Sequence, residues 1–99
     1  MNRDAPAVSV LMPVRDGGDH LYEAMDSLVA QTFGDFEVIV VDDGSVDGTA
    51  AELERWASRD DRIRVFTSEP VGIVRALETA RGEARGRFIA RMDADDIAD

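Results

Sequence analysis

Ninety-nine residues with 44% hydrophobic content make one small domain or a piece of a larger one, with enough apolar surface for a real core. The formal charge of -10, from 21 acidic and 11 basic residues, argues against nucleic acid as a partner, because binding to phosphate backbones draws its affinity from Lys and Arg. The chain has no cysteine and no lysine, which excludes disulfides, thiolate metal sites, cysteine nucleophiles, a Walker-type phosphate loop and Schiff-base chemistry.

Val8 to Val14 reads as a buried first strand. Pro13 gives up a backbone donor there and fits a sheet only at a strand end or edge. Gly17 and Gly18 lack the GxGxxG spacing of a dinucleotide fingerprint, and Arg15 and Asp16 occupy the turn such a motif needs. From about Asp19, Leu21, Met25 and Leu28 recur at helical spacing until Gly34 breaks the pattern. His20, at the start of this helix, reads as a solvated side chain without a role. Phe36 to Val41 is a second strand, whose continuous apolar run after Glu37 fits burial on both faces of a parallel sheet.

Thr49 and Glu52 have capping-box spacing, and Leu53, Trp56 and Ala57 give the helix that follows one apolar face. Ile63 to Thr67 alternates as a third strand. Ile73, Leu77, Ala80 and Ala84 then return to helical spacing, and Gly86 separates them from a half-buried fourth strand, Arg87 to Met92. Strand and helix alternate with short links throughout, which predicts an α/β fold: a mostly parallel sheet of about four strands with helices on both faces.

Two acidic clusters follow strands, and in open parallel sheets ligands gather beyond the carboxyl ends of the strands. Asp42, Asp43, Gly44 and Ser45 can be read as a turn before a helix cap. Against that stands the double acid, where one capping residue would suffice, and a carboxylate there can accept from a ribose hydroxyl pair or a base imide N–H. Asp93, Ala94, Asp95 and Asp96 can be read as a solvated tail. Positions i and i+2 of an extended segment point the same way, however, so Asp93 and Asp95 would converge on one point, and paired carboxylates suit Mg2+ or Mn2+ completed by water and substrate phosphates. An anionic ligand of so acidic a chain would need such a cation as mediator.

The ordered set Val8–Val14 with Pro13, Ser27 to Phe33 with Asp35, Phe36 and Glu37, Val40 to Ser45 with Asp47 and Thr49, and Gly86 to Ile89 with Asp93 to Asp96 resembles the amino-terminal half of family 2 glycosyltransferases. The resemblance implies a Rossmann-like GT-A fold that binds a nucleotide diphosphate sugar, a UDP-sugar being favoured, and transfers the sugar with inversion, aided by Mg2+ or Mn2+. Carried over by position, Pro13, Val14, Arg15, Asp43, Gly44, Asp93 and Ala94 would contact the nucleotide sugar, with Asp43 on the base. Asp93 to Asp95 is the DxD motif, in which Asp95, with Asp93, would ligate the metal.

The family usually has an aromatic residue and Asn where this chain has Arg15 and Asp16, and Glu78 and Ala80 replace Asn and Gly. The resemblance places the catalytic base beyond Asp99. Residues 1–99 are therefore expected to be the amino-terminal nucleotide-sugar-binding part of a glycosyltransferase domain, truncated after the DxD motif and inactive in transfer on its own. An apolar sheet face left open by the missing half would favour self-association. Two alternatives remain: a nucleotide-binding fragment without catalysis, and a haloacid-dehalogenase-like phosphatase with Asp93 as nucleophile. The latter is opposed by Ile97 in place of Thr or Val and by a motif after the fourth strand instead of the first. No apolar run approaches the ~20 residues of a membrane span. Met1 to Pro6 is too short and polar for a signal peptide, so the expected location is the cytoplasm, with peripheral attachment to the inner face of a membrane open to the full-length protein.

Overall fold

In the computed structural model, which describes residues 6–30 and 34–92, seven elements follow one another in the expected alternation. They are β1 (Val8–Val14), α1 (Gly18–Val29), β2 (Phe36–Asp43), α2 (Thr49–Arg59), β3 (Ile63–Ser68), α3 (Ile73–Glu83) and β4 (Phe88–Arg91). The strands form one parallel sheet in the order β3-β2-β1-β4. The chain adds β2 and β3 on one side of β1, then returns to place β4 on the other. Because parallel crossovers are right-handed, reversing the direction of strand addition moves the connecting helix to the opposite face.

The core divides accordingly. On one face α1 and α2 pack Leu21, Met25, Leu28, Leu53 and Trp56 against Met12, Val14, Val38 and Val40. On the other, α3 lays Ala76 and Ala80 on Leu11, Ile39 and Val41. Period-2 alternation along β2 sends Val38 and Val40 to the first face and Ile39 and Val41 to the second, and every residue of β2 is buried.

β2 runs two residues further than its apolar stretch and includes both Asp42 and Asp43. Pro13 lies inside a strand with neighbours on both sides, yet close to its end. Leu11 O accepts Met92 N, so the backbone polar groups of Leu11 point toward β4. Two residues on, those of Pro13 point the same way, beyond the last residue of β1 that pairs with β4, and the missing N–H leaves the ladder with β2 intact. β4 differs from the half-buried strand expected: all four residues are exposed, Phe88 and Ile89 included, because it pairs with β1 alone and forms the edge of the described sheet.

The capping box does not form either. Gly48 is the N-cap residue of α2, Thr49 is its first helical residue, and no side chain caps the helix in the expected way. The Thr49 hydroxyl instead donates to Asp47 Oδ1 and accepts Gly17 N, while Glu52 accepts Trp56 Nε1 at 3.4 Å. A long-range contact to the β1–α1 loop has taken the hydroxyl that the local motif would use.

Candidate nucleotide-sugar site

At the carboxyl ends of β1 and β2, on the face covered by α3, Pro13, Val14, Arg15, Asp43 and Gly72 line a cleft of about 180 Å³. β1 is the strand at which the order of addition reverses, and parallel α/β sheets open a crevice at such a point. The cleft falls below the roughly 300 Å³ at which whole small-molecule sites begin, so it suits one part of a larger ligand.

The two adjacent acids of β2 leave the strand on opposite faces and do different work. Asp42 Oδ1 accepts Ser45 N at 3.1 Å and closes the turn into α2. Asp43, only 4% exposed, accepts Val71 N at 2.7 Å on Oδ1 and Gly72 N at 3.0 Å on Oδ2. It thereby ties the β3–α3 loop to β2 and places a negative charge at the amino end of α3. A carboxylate offers about four acceptor positions, so two of those on Asp43 remain for a donor entering the cleft. A single capping residue would not have sufficed: two loops on two faces each need their own acid.

Gly44 stands behind this wall. Its φ of 72° is left-handed, and a Cβ would lie 2.5 Å from Pro70 Cδ and 2.7 Å from Pro70 N. Glycine is required there because the β3–α3 loop presses on the end of β2. Gly72, with φ of 95°, supplies the neighbouring wall of the cleft.

The β1–α1 loop is interlocked with the β2–α2 loop. Asp16 N donates to Ser45 Oγ at 2.8 Å, Val46 N donates to Asp16 Oδ1 at 2.8 Å, and Gly17 N donates to Thr49 Oγ1 at 2.9 Å. Asp16 holds a φ of 49°, a conformation that Asp tolerates better than most side chains. This lock sets the backbone that presents Arg15, an exposed residue and the cation lining the cleft.

Of the residues singled out in the sequence, Pro13, Val14, Arg15 and Asp43 are brought together, and Gly44 supports them from behind. Asp93, Ala94 and Asp95 lie outside the described residues. Among the described residues no group of three or more His, Cys, Asp or Glu side chains is gathered to hold a metal ion. The sequence reading did not select Gly72 as a site residue or foresee the Asp16–Ser45–Thr49 lock. The glycine before a helical repeat was the one available signal, and the lock joins residues about 30 apart in sequence.

A parallel sheet covered on both faces, with a cleft at its strand carboxyl ends beside the reversal point, defines a Rossmann-like α/β domain. Residues 9–99 match the profile of glycosyl transferase family 2. An uncharacterized glycosyltransferase of Haemophilus influenzae is 35% identical over 96 residues, which is 96% of this chain and 30% of that protein. The putative teichuronic acid biosynthesis glycosyltransferase TuaG of Bacillus subtilis is 36% identical over 92 residues, 92% of this chain and 36% of its own length.

Among solved structures, the mannosyltransferase PcManGT of Pyrobaculum calidifontis, in complex with GDP-Man and Mn2+, superposes with a TM-score of 0.85 at 31% identity, over 94% of this chain and 28% of that one. S. aureus TarS 1-349 in complex with UDP-GlcNAc gives 0.84 at 31% identity, over 91% and 27%. The chain belongs to glycosyl transferase family 2, and its fold is the amino-terminal part of the GT-A arrangement. It spans between 27% and 36% of the length of these four proteins. No described helix is long and apolar enough to cross a membrane.

Proposed function

We propose that residues 1–99 form the donor-binding part of an inverting, metal-dependent glycosyltransferase that takes a nucleotide diphosphate sugar, with a UDP-sugar favoured. The observation that carries this reading is the buried Asp43 carboxylate, held by two backbone amides at the cleft wall with acceptor capacity to spare. Solved relatives that superpose on this sheet hold GDP-Man with Mn2+ in one case and UDP-GlcNAc in another, which supports a nucleotide sugar as ligand class.

In this reading Pro13 gives the apolar wall against which a base or ribose packs, with Val14 beside it at the end of β1 and its side chain in the core on the α1 face, and Asp43 accepts a base N–H. Arg15 brings the cation of the cleft toward an anionic ligand. Asp95, with Asp93, lies within four residues of the end of β4 in sequence and would hold Mg2+ or Mn2+; two carboxylates are an oxygen-only donor set that fits a hard divalent cation. Such a cation, when bound, neutralises charge on a leaving diphosphate. Activation of the acceptor hydroxyl is assigned to a base beyond Asp99, so the chain by itself binds the donor without transferring it. Cytoplasmic residence, at the inner face of a membrane for the longer protein, belongs to the same proposal, as does self-association through exposed apolar residues such as Phe88 and Ile89.

Calorimetric titration of the chain with uridine diphosphate, in Mn2+ and in excess chelator, tests the reading. Tighter binding in Mn2+ is expected, because a chain of net charge -10 otherwise repels a diphosphate. Equal affinity in both conditions would remove the metal role from Asp95, and no binding in either would remove the donor-binding reading.

A further inference from the structure

A buried carboxylate that joins three parts of the chain lies at the opposite end of the sheet from the cleft. Glu37, near the start of β2, is 2% exposed and accepts hydrogen bonds from three elements. Its Oε2 takes Ser9 Oγ of β1 at 2.6 Å and Arg85 N of the α3–β4 turn at 2.7 Å. Its Oε1 takes Arg64 Nη1 of β3 and Arg85 Nε, both at 3.1 Å, and pairs with Arg85 Nη2 at 3.0 Å. Ser9 passes the connection on: its hydroxyl accepts Gly86 N at 2.8 Å. Gly86 is pressed so closely on β1 that a Cβ would lie 2.7 Å from Ser9 N. Burial alone would raise the Glu37 pKa, but the hydrogen bonds from Ser9, Arg85 and Arg64 together hold it below its ordinary value, so the group stays ionised.

This hub bears on β4. Strand register is well specified where a hydrophobic face is buried, and β4 has four exposed residues and one neighbour. Packing of those four residues therefore does little to stop β4 sliding on β1. The strand is held at both ends: just past it Met92 is buried in the core on the α1 face and donates to Leu11 O, and at its entry Arg85 N and Gly86 N are held by Glu37 and Ser9 just before Phe88 N bonds Ala7 O. β4 in turn leads through Met92 into Asp93, Ala94 and Asp95.

We propose that Glu37 is a positioning residue: acting through Ser9 and the 84–86 turn, it holds the entry of β4 in register on β1 and thereby sets the strength of divalent-cation-dependent binding of a nucleoside diphosphate. The proposal rests on the donor-binding reading above. Glu37 lies six residues along β2 from Asp43, roughly 20 Å at the rise of a strand, so it acts without touching the ligand. A carboxylate is required because every neighbour is a donor; a glutamine would turn its own N–H groups on an amide or a guanidinium.

The test compares Ser9→Ala and Glu37→Gln with the parent, and uses Arg62→Met as a control that removes the ion pair with Asp60 at the start of β3, away from the β4 entry. Two readouts are taken: amide hydrogen exchange at Phe88 and Met92, and affinity for uridine diphosphate in Mn2+ and in chelator. Loss of a buried hydrogen bond to a charged group corresponds to about tenfold, so Ser9→Ala and Glu37→Gln are expected to speed exchange at both amides by about that factor and to weaken the Mn2+-dependent affinity similarly. Their affinity in chelator is expected to match the parent. Arg62→Met is expected to lower the melting temperature while leaving β4 exchange and both affinities unchanged.

Unchanged Mn2+-dependent affinity in Ser9→Ala, or an equal loss in all three variants, would overturn the proposal. Should Glu37→Gln fail to fold, Ser9→Ala carries the test. Should the parent bind no uridine diphosphate in either condition, the donor-binding reading falls and the affinity half of the proposal falls with it, while parent-like exchange in Ser9→Ala would refute the register role separately.

Discussion

Replacing Asp43 by alanine separates a ligand-binding carboxylate from one that only ties a loop. The side chain accepts two amide N–H groups at 2.7 and 3.0 Å, and hydrogen bonds to a charged group contribute about 1.5–3 kcal/mol each. Val71 and Gly72 are exposed, so their freed N–H groups would rehydrate, and roughly half of the combined amount should be recovered. Loss of a negative charge at the amino end of α3 adds about 0.3–1 kcal/mol. The net cost is about 2–4 kcal/mol, within the stability of an ordinary domain, and the melting temperature should fall by some ~10–20 °C.

Under the proposed function, in which Asp43 accepts from the base and does not touch the cation, nucleotide binding should weaken by a further ~1–3 kcal/mol, equally in Mn2+ and in chelator. Urea unfolding gives the first quantity and calorimetry with uridine diphosphate the second. Asp43→Asn sharpens the comparison: it keeps one acceptor oxygen but turns N–H toward one of the two amides, so it should recover part of the stability and little of the affinity. If Asp43→Ala is destabilised as expected yet binds uridine diphosphate as tightly as the parent, the carboxylate serves the β3–α3 loop alone, and the argument from its spare acceptor positions fails.

Two further outcomes follow from the same geometry. Gly44→Ala meets both a left-handed φ and the Pro70 ring, and should cost about 2–4 kcal/mol, read as a lower urea midpoint with an unchanged slope; a parent-like midpoint would mean that Pro70 does not press on β2 there. Acid should destabilise the protein through Glu37, and through Asp60, whose pKa is held down by hydrogen bonding to the Arg62 guanidinium. Both folded-state values lie below the ordinary 4.5 and 3.8, so this stabilisation is fully present above those values and is lost as pH falls through the lower, folded ones. Unfolding midpoints should hold steady from about pH 7 to about pH 5 and then decline, less steeply in Glu37→Gln; an identical decline in that variant would remove Glu37 from the account.

Sequence by itself determined the local alternation. Period-2 and period-3.6 apolar patterns placed all seven elements to within a few residues, because every element but the exposed edge strand β4 buries one face or, for β2, both. The unbroken run Val38 to Val41 marked a central parallel strand, and the motif order around Pro13, Asp43 and Gly86 marked the family. What sequence did not determine was how single polar atoms are shared over long separations. Thr49 had the spacing of a capping box, yet its hydroxyl accepts an amide from Gly17, 32 residues away. Asp42 and Asp43 read as one acidic pair, yet alternation along β2 sends them to opposite faces to hold different loops. Glu37 stood in the sequence only as the residue before the apolar run of β2, and folding alone brings it to Ser9, Arg64 and Arg85. Burial of apolar surface is additive and nearly directionless, so it leaves a periodic trace in the chain. A hydrogen bond needs one donor and one acceptor within about 3 Å and correctly aimed, which residues far apart in sequence meet only once the sheet has set their register.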